Sequence, residues 1–224
     1  MNKVCVFIDG SSLYFGLKRN NRATRVDYYE FSKTIVGPDR HLVKTHYYNS
    51  AYDPSLSPEQ YKTQQPFLDS LSMTPNLELH LGRLVPTREG GFKEIGADVK
   101  FASEIVYYSA KAIFDTAIVI TDNTDLISAL SQVKELGVHL ELGLFRDGQY
   151  RELLSVADRT IYLDDVFERL NAKPIPVVKE KPEEKQPEVA PVKKKVGRPR
   201  KVLIDTPSWG TETFSWGLFN WPGT

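Results

Sequence analysis

Residues 3–18 read KVCVFIDGSSLYFGLK, and this stretch decides the fold class. Lys3 to Ile8 is a short β-rich run without polar alternation, the pattern of a strand buried on both faces. Asp9-Gly10 ends it. From Ser11 to Arg19, Leu13, Tyr14 and Leu17 recur on one side, as they would on a helix. A strand, a tight turn and a helix in succession are the first half of a βαβ unit.

The same alternation continues outward. Further strands are expected at 42–48, 77–81, 116–121, 138–144 and 160–163. Ser57-Pro58-Glu59-Gln60 offers an N-cap serine with proline at N1, so a helix is predicted to begin there. Asp98 is expected to cap a helix running to about residue 112, with Val99, Ala102, Ile105 and Val106 facing the core. A helix over 126–136 is stopped by Gly137, and shorter ones are expected near 150–157 and 165–170. Residues 83–97, Gly-rich and charged, read as a loop. The expected fold is α/β, a mainly parallel sheet flanked by helices.

Composition sets outer bounds. The 224 residues are 41% hydrophobic and 26% charged, which suits a soluble globular protein. A single Cys excludes an internal disulfide and a cysteine-built zinc site. The apolar runs are strand-sized, so no membrane span is expected. The opening lacks the layout of a signal peptide, and a cytoplasmic setting is expected. Lys+Arg and Asp+Glu both number 29, but from Asn171 onward there are 10 basic and 6 acidic residues, leaving 19 and 23 before it. The later part also holds 8 of the 14 prolines and all three tryptophans. The expected division is a domain over 1–170, a linker over 171–203 and a Trp-rich peptide over 204–224.

In parallel α/β sheets ligands bind at the carboxyl ends of the strands. Two predicted strands end in acids: Ile8 runs into Asp9, and Ile120-Thr121 into Asp122-Asn123-Thr124-Asp125. Asp98 stands at a helix start. Acids converging there repel one another unless a hard cation such as Mg²⁺ or Mn²⁺ holds them. Such an ion activates water for phosphodiester hydrolysis. The alternative is that each Asp merely caps a helix or turn, and spacing alone does not decide. No GxxxxGK[ST] loop is present, and no GxGxxG follows the first strand. His41, His46, His80 and His139 show no ligand spacing and read as structural. Cys5 reads as an inert buried thiol.

The stretch Phe7-Ile8-Asp9-Gly10-Ser11-Ser12-Leu13-Tyr14-Phe15-Gly16-Leu17-Lys18 resembles the opening of NYN-domain proteins, in the LabA/DUF88 branch of the PIN-like nucleases. The resemblance continues through Tyr47-Tyr48-Asn49, Glu94-Ile95-Gly96-Ala97-Asp98-Val99 and Phe114-Asp115-Thr116-Ala117. It then takes in the turn from Thr121 to Leu126, Glu152-Leu153-Leu154 and Ala157-Asp158-Arg159. It implies a Rossmann-like PIN fold and metal-dependent ribonuclease chemistry with Mg²⁺ or Mn²⁺. Asp9, Asp98 and Asp125 fall on the family acids around the metal, with Asp122 or Asn123 completing the set. Ser11, Ser12, Thr121, Lys18 and Lys100 are the matching candidates for substrate contact. Tyr14, Tyr47 and Tyr48 are candidates for base stacking. Three positions depart from the pattern: an amide at Asn123 where an acid is usual, Ser12 for Asn, and Ile95 for Lys. They leave a second reading open, a weakened or inactive nucleic-acid-binding adaptor.

The C-terminal quarter has its own signals. Prolines every few residues from Lys173 predict a disordered, extended linker. Lys193 to Lys201 holds six positive charges, and Lys195-Val196-Gly197-Arg198-Pro199-Arg200-Lys201 resembles an AT-hook for the minor groove of A·T-rich DNA. Ser-Trp-Gly occurs twice, and Trp209, Trp216 and Trp221 are expected to dock on a protein partner or a second copy.

Overall fold

The structure is a computed structural model, and it describes residues 1–87, 91–148 and 150–171. The readings made on residues 172–224 lie outside the described residues. Among the described residues seven strands and seven helices follow one another. They begin with β1 (Lys3–Asp9), α1 (Gly10–Arg19), α2 (Tyr28–Val36), β2 (His41–Tyr52), α3 (Pro58–Ser72), β3 (Leu77–Pro86), β4 (Phe92–Ile95) and α4 (Ala97–Ala110). Then come β5 (Thr116–Ile120), a 3₁₀ turn (Thr124–Leu126), α5 (Ile127–Glu135), β6 (His139–Leu144), α6 (Arg151–Val156), β7 (Arg159–Tyr162) and α7 (Leu163–Asn171).

The strands form one sheet in the order β4-β3-β2-β1-β5-β6-β7. Every neighbouring pair is parallel except β3 and β4. The expected α/β architecture is therefore present. The chain builds outward from β1 on one side through β2 and β3, then returns to its other side with β5. This makes the boundary between β1 and β5 the switch point, where adjacent connections leave a crevice beyond the strand ends.

The unbroken apolar run of β1 is explained by burial on both faces. Val4, Val6 and Ile8 pack in a core with Leu13 and Leu17 of α1, Phe31 of α2 and Phe167 of α7. Cys5 and Phe7 pack in the opposite core with Phe101 and Ile105 of α4 and Leu130 of α5. Burial pushes the Cys5 thiol up to about 12, so it is the inert residue its setting predicts.

The structure corrects the sequence reading in four places. Residues 83–97 are not a loop: β3 continues to Pro86 and pairs antiparallel with β4, Arg83 opposite Ile95 and Leu84 opposite Glu94. All four residues of β4 are exposed, so no buried apolar face marked it as a strand. The cap of α4 is Gly96 at φ +89°, and Asp98 lies inside its first turn. Val99 is 72% exposed, because α4 buries the stripe Ala97, Phe101, Ile105 and Ser109 instead. Helix α2 was not foreseen; Asp27 caps it by accepting from the Glu30 N–H.

Gly82 fixes how closely β3 approaches the start of α4. A Cβ there would sit 2.6 Å from the Ala97 nitrogen and 2.7 Å from the Ile95 carbonyl oxygen, both backbone atoms that cannot swing away. Gly82→Ala should therefore destabilise the domain by about 1–3 kcal/mol, as overpacking does. Urea unfolding followed by circular dichroism checks this, and an unchanged midpoint would show that β4 and α4 shift freely.

Candidate active site

The crevice at the switch point is an open cleft of about 290 Å³, lined by Asp9, Ser11, Ser12, Phe15 and Arg19 from the first strand–helix unit, by Glu94 and Asp98, and by Asp122 and Asn123. Asp9 is the last residue of β1 and the N-cap of α1, and its carboxylate does two jobs. Oδ1 accepts from the Ser11 and Ser12 backbone N–H groups at 3.1 and 3.2 Å. Oδ2 accepts from the Ser12 hydroxyl at 2.6 Å and the Thr121 hydroxyl at 3.0 Å. The same two hydroxyls accept from the chain after β5: Ser12 from the Asp122 N–H and Thr121 from the Asn123 N–H. The Ser11 hydroxyl reaches across the cleft and donates to Glu94 Oε1 at 2.8 Å.

Electrostatics set the character of the cleft. Burial raises the Asp9 carboxyl above its ordinary value, four donated hydrogen bonds oppose that rise, and the Asp98 charge adds to it. Glu94 is raised by burial, lowered by the Ser11 hydroxyl, and raised again by Asp9 and Asp98. Among the described residues four carboxylates thus face one lining cation, Arg19, which pairs with Asp122 at 3.1 Å. Every lining group able to ligate a metal offers oxygen, which suits a hard divalent cation and not a soft one.

The expected site residues divide. Asp9, Asp98, Asp122, Asn123, Ser11 and Ser12 come together in the cleft. Thr121 is buried beneath it, bonded to Asp9. Asp125 is exposed in the 3₁₀ turn and is not among the lining residues; its N–H donates to Asn123 Oδ1 at 2.9 Å, so Asn123 acts as the cap of that turn. Lys18 lies over the Tyr14 ring, and Lys100 donates to the Leu81 carbonyl; neither lines the cleft. Tyr47 and Tyr48 are 1% and 2% exposed, core residues that cannot stack on a base.

Glu94 is the member that reasoning from strand ends missed. A loop over 83–97 gives no reason to aim its side chain anywhere. The antiparallel β3–β4 pairing brings it to the cleft. Phe15 was also passed over, and it stands 56% exposed on the lining. His46 and His80 are buried, stacked residues as expected, and with Glu78 of β3 they bring ligand atoms all within 4.8 Å of one another, a group that could hold a metal ion.

Comparisons with known proteins agree with this architecture. The mostly parallel sheet flanked by helices is the architecture of a PIN-like fold, the fold of NYN domains. The sequence profile of the NYN domain matches residues 3–164, and the chain belongs to that family. A crystal structure of a protein of unknown function from Vibrio parahaemolyticus is similar at a TM-score of 0.56 and 17% identity, covering 74% of this chain and 94% of that one. The solved structure of Sa239 aligns at a TM-score of only 0.30 and 12% identity over 71% of this chain and 60% of that one, too low to bear on the fold. No curated protein matches the sequence. No helix among the described residues is long and apolar enough to cross a membrane.

The raised Asp9 carboxyl has a stability consequence whose sign is fixed. A folded-state value above the unfolded one means that the folded protein holds its proton more tightly, so ionisation costs stability as pH rises out of the acid range. Asp9→Asn, which keeps an oxygen for the α1 cap, should melt higher than wild type at pH 7 in the absence of divalent ions. The gap should close as pH falls below the ordinary carboxylate range. A variant that melts lower at pH 7 would show that the four hydrogen bonds outweigh burial.

Proposed function

We propose that the chain is a metal-dependent endonuclease of the NYN type that hydrolyses RNA phosphodiester bonds. The observation that carries this reading is the set of acids Asp9, Glu94 and Asp98 facing one crevice at the switch point, with Ser11 tying two of them together. Asp9 and Asp98 would hold Mg²⁺ or Mn²⁺, with Glu94 and Asp122 beside them. The ion when bound supplies Lewis acidity toward the phosphate and an activated water.

The chain's own residues do the rest. Asp9 is immobilised by its four hydrogen bonds, which presents its carboxylate in one orientation. Ser11 holds Glu94 against the opposite wall. Arg19, 45% exposed, offers a guanidinium at the rim for a backbone phosphate, the kind of contact that positions a strand without reading its sequence. Phe15 offers an exposed ring beside it for stacking. Asp125, which the family resemblance places near the metal, is not required by this arrangement.

A second reading rests on Asn123. Its amide oxygen accepts from the Asp125 N–H as the cap of the 3₁₀ turn, and it brings no charge where the family pattern has an acid. This favours a weakened site in a nucleic-acid-binding adaptor. In both readings the segment Lys195 to Lys201 tethers the protein to A·T-rich DNA or another polyanion, and Trp209, Trp216 and Trp221 dock a protein partner. Removing 193–201 should lower DNA affinity most at low salt, and removing 204–224 should abolish partner capture or self-association.

The deciding experiment is a cleavage time course on single-stranded RNA, structured RNA and DNA with Mn²⁺, Mg²⁺ or EDTA. Wild type should cleave RNA only with the metal, and Asp9→Asn should lose at least about 100-fold, the scale of a several-kcal/mol contribution. A silent wild type with an active Asn123→Asp would select the adaptor reading with an intact scaffold. Silence from all three would remove catalysis altogether.

A further inference from the structure

We propose that His46, Glu78 and His80 form a Zn²⁺ site that ties β2 to β3, separate from the acidic cleft. Strand pairing builds it: His46 stands opposite Glu78, and His80 follows two residues later on the same face of β3. The nitrogens His46 Nδ1 and His80 Nε2 are 3.1 Å apart. Two imidazoles on one tetrahedral zinc hold their nitrogens roughly 3.3 Å apart, given zinc–nitrogen bonds of about 2.0–2.1 Å. The spacing is therefore within a few tenths of an ångström of what the ion needs, and the rings must turn so that both lone pairs converge on it instead of facing each other.

Stacking holds the planes of both rings. His46 stacks on Phe7 at 4.9 Å and on Tyr108 at 4.8 Å. His80 stacks on Tyr48 at 4.6 Å with an interplanar angle of 15°. On its far side, His80 Nδ1 lies 2.9 Å from Glu104 Oε2, which also accepts from the Tyr48 hydroxyl at 3.0 Å. An ionised carboxylate can only accept, so His80 carries its hydrogen on Nδ1 and turns the lone pair of Nε2 toward His46. This carboxylate–histidine arrangement orients and strengthens a metal-bound imidazole.

His46 must then donate from Nδ1 to His80 when no ion is bound, and move that hydrogen to Nε2 when one binds. No net proton is released.

Glu78 is the part that closes the site. Its carboxylate is 47% exposed, engages Lys44 only at 3.9 Å, and already offers an oxygen within 4.8 Å of the ligand nitrogens of both histidines. Two imidazoles, one carboxylate and an open fourth position are a donor set that zinc occupies with water completing the tetrahedron. The acidic cleft, all oxygen, suits a different class of ion, so the two sites sort metals by chemistry.

The test uses the full chain, stripped with a chelator and dialysed. Zn²⁺ titration by calorimetry should show one tight equivalent, Co²⁺ should give the visible absorption of a tetrahedral ion, and zinc should raise the melting temperature by mass action. Glu78→Gln, an exposed change that leaves the core intact, should weaken zinc at least tenfold. His80→Gln should abolish the cobalt spectrum. Asp9→Asn should bind zinc as wild type does, which keeps this result independent of whether RNA is cleaved. The proposal is overturned if no zinc binds, if Glu78→Gln and His80→Gln bind as wild type does, or if Asp9→Asn removes the binding.

Discussion

The hydrogen bond from the Thr121 hydroxyl to Asp9 Oδ2 joins the ends of two strands 112 residues apart in sequence. Through it and the Ser12 hydroxyl, one carboxylate caps α1 and also fixes the chain leaving β5. The two halves of the sheet are wound in opposite directions from β1, so their loops part company at this point. Without that link the crevice would be a gap between independent loops. With it, Asp9, Asp122 and Asn123 are held in one frame by groups that are themselves part of the backbone ladder's continuation. A residue that caps a helix and a residue that serves a cleft are here the same residue, so the plain structural account of Asp9 and the functional one are compatible.

The frame is electrostatically unfavourable by itself. Burial and the Asp98 charge raise the Asp9 carboxyl, burial with Asp9 and Asp98 raises that of Glu94, and the Arg19 guanidinium is shared between Asp122 and the more distant Asp147. A fold that only needed a helix cap would find Ser or Asn sufficient. Concentrated like charge at a polar, water-open crevice is the arrangement expected where stability has been traded for binding a cation.

Much of this was legible in the sequence, for identifiable reasons. The apolar runs of β1 and β5 are buried on both faces, so their type and order could be read without knowing their neighbours. Asp9 followed from the end of β1. Glu94 did not, because β4 buries none of its four residues and left no periodic trace. His46 and His80 looked unrelated because their proximity is set by the β2–β3 register and not by any spacing along the chain. Val99 was misassigned because an apolar residue in the first turn of α4 was taken for part of its buried stripe, which begins at Ala97 and repeats every four residues.

The two walls of the cleft differ in how firmly the fold holds them. Asp9 ends a strand paired on both sides, with both faces packed. Glu94 sits on an edge strand with one neighbour and no buried side chain. Local opening takes the least free energy where few apolar contacts are lost. β4 can therefore fray from β3 while β1 remains in place, and amide protons on the two walls would exchange with solvent at rates set by different cooperative units. The wall that carries Asp9 is fixed by core packing, and the wall that carries Glu94 by a single strand ladder and the Ser11 hydroxyl.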